Sequence, residues 1–196
     1  MATVATRKTA ADTTSTPQPF SAMLSRLYFA RFAFAVVWAA LLIPSGKHTG
    51  AALTVLLVVY PLVDAAAVLW QLRSKNRPSG PAFAEWANVL VSVGVAITLG
   101  WASTSSIGTA LAVWGAWAAA SGITQLTTAI SHRTAGGQIP LIISGAISTL
   151  AGASFLAQSA KDPSSISAIG GYAILGGIFF LISAIRLRSQ LRTAAH

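Results

Sequence analysis

The sequence predicts an all-α membrane protein, with six transmembrane helices arranged as three repeated helical hairpins and both termini cytoplasmic. Three observations carry the prediction. Six apolar stretches run along the 196 residues, each long enough to cross a hydrocarbon layer of about 30 Å at about 1.5 Å per helical residue. Hydrophobic residues make up 54% of the chain and charged residues 9%, with a mean hydropathy of +0.67, which is more apolar surface than a soluble domain of this length buries. Lys and Arg fall almost exclusively in every second connection. The hydrocarbon core offers the backbone no hydrogen-bond partner, so each span is a helix or part of a closed barrel. Barrel strands need about ten residues of strict alternation, and these stretches are uniformly apolar.

Residues 1–24, rich in Thr and Ala and holding Pro17 and Pro19, have too little apolar content to order themselves and are expected to form a disordered tail. Arg7 and Lys8 give that tail a faint likeness to a transit peptide. A secretory signal fits less well, because the first apolar core begins late and Arg31 interrupts it, so it is expected to be kept as the first helix. The six-helix domain is expected over 25–188, as hairpins 25–73, 83–133 and 138–188, followed by a cytoplasmic tail over 189–196.

The first core, 27–43, carries Arg31 five residues beyond Arg26. The second, 51–72, carries Asp64 nine residues before Arg73, and Pro61, which removes one helical hydrogen bond and is expected to bend the span near the acid. The third, 83–101, opens with Glu85, a carboxylate at the positive end of the helix dipole. The fourth, 107–130, places Trp114 and Trp117 inside the span, whereas Trp70, Trp86 and Trp101 lie near span ends and fit the interfacial aromatic belt. Its inner half holds Ser121, Thr124, Gln125, Thr127 and Thr128, which with Asn88 of the third are uncharged groups suited to interhelical hydrogen bonds. The fifth, 139–158, sets Ser144, Ser148 and Gly152 four apart on one stripe, and the sixth, 166–185, is flattened by Gly176 and Gly177.

Ten basic residues fall in the N-terminal region, the second and fourth connections and the C-terminal segment: Arg7, Lys8, Arg26, Arg73, Lys75, Arg77, Arg133, Arg186, Arg188 and Arg192. Only Lys47 and Lys161 fall in the other connections. Basic residues near helix ends stay on the cytoplasmic side, which puts both termini inside a multi-pass protein of the cell's inner membrane, and an even number of crossings agrees. The formal charge of +9 is therefore that of membrane flanks drawn to anionic lipid headgroups. A nucleic-acid surface is not expected, since no aromatic residues interleave with these charges as a stacking platform.

The chain has no cysteine, which excludes disulfides and thiolate chemistry, and His48, His132 and His196 have no spacing that converges on a metal. No nucleophile with its base, no catalytic acid pair and no phosphate loop is present in the sequence. A non-enzymatic protein without cofactor is expected.

An internal repeat underlies the hairpins. Trp117-Ala-Ala-Ala-Ser-Gly122 in the fourth span aligns with Tyr172-Ala-Ile-Leu-Gly-Gly177 in the sixth, which also matches Gly115 with Gly170 and Arg133 with Arg188. The second span offers Tyr60-Pro-Leu-Val-Asp-Ala65, with Ala in place of Gly, and the odd spans match more loosely through Gly94 and Gly145. The segments Gly115-Ala-Trp-Ala-Ala-Ala-Ser-Gly122-Ile-Thr-Gln, Gly145-Ala-Ile-Ser-Thr-Leu-Ala-Gly152 and Gly170-Gly-Tyr-Ala-Ile-Leu-Gly-Gly177-Ile resemble small bacterial membrane proteins of the HdeD-like acid-resistance family, built from repeated two-helix units. The resemblance runs from about Leu27 to Arg188, and the first hairpin departs from it by lacking Gly and adding Arg31 and Asp64. Membership implies a cytoplasmic-membrane protein of acid or envelope stress tolerance.

In lipid, small residues let backbones approach and gain dispersion contacts. Gly115, Gly122, Gly145, Ser148, Gly152, Gly176 and Gly177 are the expected packing positions, within the chain or, alternatively, between copies in a homo-oligomer. Arg31, Asp64 and Glu85 are the ionisable groups within or at the margin of an apolar core, where an unpaired charge costs at least about 2.5 kcal/mol. Arg31 lies about 7 to 8 Å past Arg26 and Asp64 about 13 to 14 Å from Arg73, a gap that an Arg side chain mostly bridges. An Arg31–Asp64 pair is expected, with Glu85 as a second partner for Arg31 or a partner of Arg26. Two roles stand open: a structural pair that fixes helix register, or a protonation switch at Asp64. The alternative to stress tolerance is a small proton-coupled transporter or channel with Asp64 as its protonatable site.

Overall fold

The computed structural model describes residues 18–75, 82–131, 139–161 and 163–193, and among them the regular structure is six helices. These are α1 (Gln18–Ser45), α2 (Ala51–Arg73), α3 (Phe83–Ser105), α4 (Ile107–Ser131), α5 (Ile139–Ser159) and α6 (Ala168–Thr193). All six are long and apolar enough to cross a membrane, which marks a multi-pass membrane protein. Their outward faces carry Leu90, Ile97 and Leu150, each 71% exposed, an apolar perimeter that water would not tolerate and lipid solvates. Trp70, Trp86 and Trp101 are exposed near helix ends.

The start of α1 corrects the expected tail. Residues 18–24, assigned to the disordered segment, are helical, and Phe20, Ser21 and Ser25 are buried. The reason is tertiary. α6 continues to Thr193, giving the start of α1 a helix to lie against, and Ser25 Oγ donates to Ala184 O at 3.1 Å across that contact. Residues 1–17, with Arg7 and Lys8, lie outside the described residues, as do Arg77, His132, Arg133 and His196.

Sequential helices run antiparallel. Arg26, Arg73, Lys75, Arg186, Arg188 and Arg192 therefore gather at one end of the bundle and Lys47 and Lys161 at the other. At the Lys end a single residue joins α3 to α4. Ser106 closes α3 through its N–H on Ala102 O at 3.2 Å and opens α4 as an N-cap, its Oγ accepting from Thr109 N at 3.0 Å. At the same end the connection before α6 docks on the end of α1, where Ile166 N donates to Gly46 O and Ser167 Oγ to Ile43 O, both at 2.8 Å.

The closest pairs are not the expected hairpins. α4 packs most tightly on α5, α1 on α6 and α2 on α3, while α1 touches α2 lightly and α5 barely meets α6. Glycine explains the first of these. A Cβ at Gly152 would stand 2.3 Å from Ala119 N and 2.6 Å from Gly115 O, and one at Gly122 would stand 2.4 Å from Thr149 N, so the glycines of each helix let the other's backbone come close. Gly145 and Gly115 complete the same seam. The repeat-matched residues of α6 act alike toward α1: a Cβ at Gly170 would meet Ile43, and one at Gly177 would meet Ala35 and Phe32. Each even-numbered helix thus packs on the odd-numbered helix that follows it around a ring, with α6 closing onto α1.

Candidate functional site: an aromatic cavity with a charge pair

The interior of the Lys-side half is filled, although a shallow groove between the ends of α2 and α3 marks its surface at Thr54 and Ser103. Trp38 and Leu42 of α1, Leu53 and Leu57 of α2, Leu99 of α3, Leu111 of α4, and Ile166 and Ile169 pack in that interior with almost no exposure. Toward the arginine-rich end the same helices separate around a cavity of about 390 Å³, lined by residues of all six. Along α4 its wall runs from Trp114 to Gln125, a depth of about 16 Å.

Tyr60, Trp114 and Trp117 roof it, with Trp38 packed against the first two. Trp38 and Trp114 stack with centroids 5.4 Å apart, Tyr60 lies 4.5 Å from Trp38, and Trp117 meets Trp114 edge-on at 5.3 Å. Offset and edge contacts of this kind add about 0.5–1.5 kcal/mol each beyond simple burial. Trp38 Nε1 donates to Leu56 O at 2.7 Å. That carbonyl lies in the turn where Pro61, buried within a continuous α2, leaves the neighbouring Leu57 carbonyl without its helical donor. The aromatic positions matched in the repeat, Tyr60, Trp117 and Tyr172, all face this cavity, and Tyr172 Oη donates to Ser148 Oγ at 3.0 Å.

The wall carries the charge pair. α1 and α2 are antiparallel, so Arg31, midway along α1, and Asp64, in the second half of α2, reach the same depth, and Arg31 Nη2 donates to Asp64 Oδ1. The other carboxylate oxygen accepts from Asn88 Nδ2 at 2.9 Å and Ser92 Oγ at 3.0 Å, both from α3. The Arg31 guanidinium lies over the Phe180 ring of α6, 4.1 Å from its centroid, in cation–π contact. Both charged side chains are 16% exposed. One ion pair therefore joins four helices, and its hydrogen bonds offset much of the desolvation cost that an isolated charge would carry.

The remaining expected residues fall as follows. Glu85 stands half-buried in the first turn of α3, one turn before Asn88. Gly115, Gly122, Gly145 and Gly152 form the α4–α5 seam and Gly177 lies on α1. Gly176 and Ser148 instead line the cavity, and a Cβ at Gly176 would meet nothing within 4 Å. Gly176 is thus no packing position, because the helix face it shares with Tyr172 looks into open space. Ser121, Gln125 and Ser144 also line the cavity, whereas Thr124 and Thr127 donate to carbonyls of their own helix, and the Thr128 side chain lies outside the described residues.

Ser92, Phe180 and Tyr28 escaped the sequence reading. Ser92 had a signal, since it follows Asn88 by one turn and shares its face. Phe180 and Tyr28 are ordinary apolar-helix residues in sequence and become wall residues only through the α1–α6 contact, where their rings lie 5.7 Å apart. Among the described residues no group of three or more His, Asp or Glu is placed to hold a metal. No protein-family model, no curated protein and no solved structure matches the chain.

Proposed function

We propose that the chain is a non-enzymatic protein of the cell's inner membrane whose Arg31–Asp64 pair is a protonation-sensitive lock on a cavity open toward one face. Its role is acid or envelope stress tolerance of the HdeD-like type, a physiological setting that rests on the sequence resemblance alone. The observation that carries the lock is the ion pair at the cavity wall, fastened to α1, α2, α3 and α6 at once. Protonating Asp64 removes the acceptor that holds Arg31, while Asn88 and Ser92 still bind the other carboxyl oxygen, so α1 and α6 loosen from α2 and α3.

Both termini are cytoplasmic in this proposal. Six basic side chains of the described residues lie at one end of the bundle and two at the other, which is the asymmetry that orients membrane helices, and the richer end faces anionic headgroups. The repeated unit in this proposal is the two-helix hairpin over 25–73, 83–133 and 138–188, and between units each even-numbered helix packs on the odd-numbered one next around the ring. The seven-residue glycine spacing of Gly115 with Gly122 in α4 and Gly170 with Gly177 in α6, each pair against its partner helix, supports the likeness of two of the three units.

A second activity is favoured by the cavity itself: a small proton-coupled transporter or channel that uses Asp64. The filled interior of the Lys-side half argues against a continuous path. Proton or solute flux in liposomes with Asp64→Asn against wild type separates the two. No flux from either, with acid loosening wild type and leaving Asp64→Asn unchanged, is the expected result. An acid-dependent flux abolished by Asp64→Asn installs the transporter in its place.

A further inference from the structure

Among the described residues, Arg31 and Asp64 are the charged side chains that line the cavity, and their charges cancel. A low-dielectric chamber favours occupants that keep it neutral, because each uncompensated charge costs several kcal/mol. Arg31 has five N–H donors, and its hydrogen bond in the structure is to Asp64 Oδ1. Asp64 is anchored independently of Arg31, through its second oxygen on Asn88 and Ser92. The arginine is therefore the half of the pair free to change partner. Around it, Tyr28, Tyr60, Trp117 and Phe180 offer flat aromatic walls, and the volume falls at the small end of the range of about 300–1,000 Å³ for ligand pockets.

We propose that this cavity takes up a small planar monocarboxylic acid, its carboxylate on Arg31 and its proton on Asp64. The inference deepens the lock reading and rests on it. The step balances: a protonated acid meets the Arg31–Asp64 pair, its O–H proton passes to the Asp64 carboxylate, and its own carboxylate replaces Asp64 in the guanidinium fork. Only that O–H bond breaks and one O–H bond forms, and the chamber is neutral before and after. An organic cation would leave two positive charges against one negative, and a neutral apolar molecule would leave the spare guanidinium N–H groups unused. Asp64 faces Arg31 from α1, Tyr60 from its own helix, and Asn88 and Ser92 from α3. Tyr28 of α1 and Tyr172 of α6 stand elsewhere on the wall, and Glu85 lies one turn before Asn88.

The test uses the full chain in phosphatidylcholine nanodiscs and benzoate as the probe. Tryptophan fluorescence, with Trp70, Trp86 and Trp101 replaced by Phe so that Trp114 and Trp117 at the wall contribute most of the change, reads occupancy, and an indicator dye in weak buffer reads proton uptake. Saturable binding is expected, with one proton taken up per benzoate and affinity rising about tenfold per unit fall in pH while Asp64 is ionised in the free protein. Asp64→Asn keeps binding and loses both the proton uptake and the pH dependence. The neutral double variant Arg31→Gln with Asp64→Asn, which leaves no unpaired charge to unfold the bundle, loses saturable binding. Saturation by benzylammonium in place of benzoate, benzoate binding without a proton, or quenching that is linear and the same in the double variant overturns the proposal. Ligand-free thermal unfolding separates the two levels. If acid loosens wild type and not Asp64→Asn while benzoate fails to bind, the carboxylic-acid site falls alone, and if acid has no effect the lock falls too.

Discussion

Replacing Asp64 by Asn strips Arg31 of its counter-charge and leaves the guanidinium at the cavity wall over Phe180. Breaking a buried pair from one side costs about 3–5 kcal/mol. Two features of this site lower the figure: both side chains keep 16% exposure, and the ring contact, worth about 0.5–2 kcal/mol, survives. The expected loss is about 2–3 kcal/mol. Arg31→Gln exposes a carboxylate that retains Asn88 and Ser92 as donors, so its cost is smaller, about 1–2 kcal/mol. The double variant has no charge to strand, and its loss falls below the sum of the two single losses by about 1.5 kcal/mol or more. Equilibrium unfolding in mixed micelles, followed by tryptophan fluorescence, measures all four corners of the cycle. An Asp64→Asn loss under about 0.5 kcal/mol, or single losses that simply add, would refute the claim that this pair holds the helices together.

Two further outcomes follow from the packing. Gly152→Ala drives a methyl to within 2.3 Å of Ala119 N and lowers stability by about 1–3 kcal/mol, whereas Gly176→Ala, into open space, changes it by under about 0.5 kcal/mol in the same unfolding assay. Ser106→Ala removes the cap that starts α4 and costs about 1 kcal/mol, and Ser106→Asn restores most of it.

Much of this architecture is written in local sequence. Length and apolarity alone define six spans, because a bilayer leaves a chain few ways to satisfy its backbone. The Arg31–Asp64 contact was legible from depth arithmetic along two antiparallel neighbours, which needs only the helical rise. Gly115, Gly122, Gly145 and Gly152 were legible as packing positions, since small residues let backbones approach, but that α4 meets α5 through them was not. What stayed hidden depends on lateral order. Hairpins of adjacent helices are the natural expectation from chain connectivity, yet α1 pairs most closely with α6, which no local pattern announces. The same contact brings Phe180 under Arg31 and orders residues 18–24 against α6, so one long-range neighbour accounts for both a missed wall residue and the misplaced start of α1.

The central claim is an aromatic-walled chamber holding the Arg31–Asp64 pair, reached from the arginine-rich face and shut from the other. The chain contains no cysteine, so a single Gly176→Cys substitution reports without background, and its side chain enters open space at the cavity wall. Oriented vesicles exposed to a membrane-impermeant maleimide on one side at a time should label this cysteine only from the face bearing Arg73 and Arg188, and faster when Asp64 is also changed to Asn. Labelling from the face bearing Lys47 and Lys161 would contradict it.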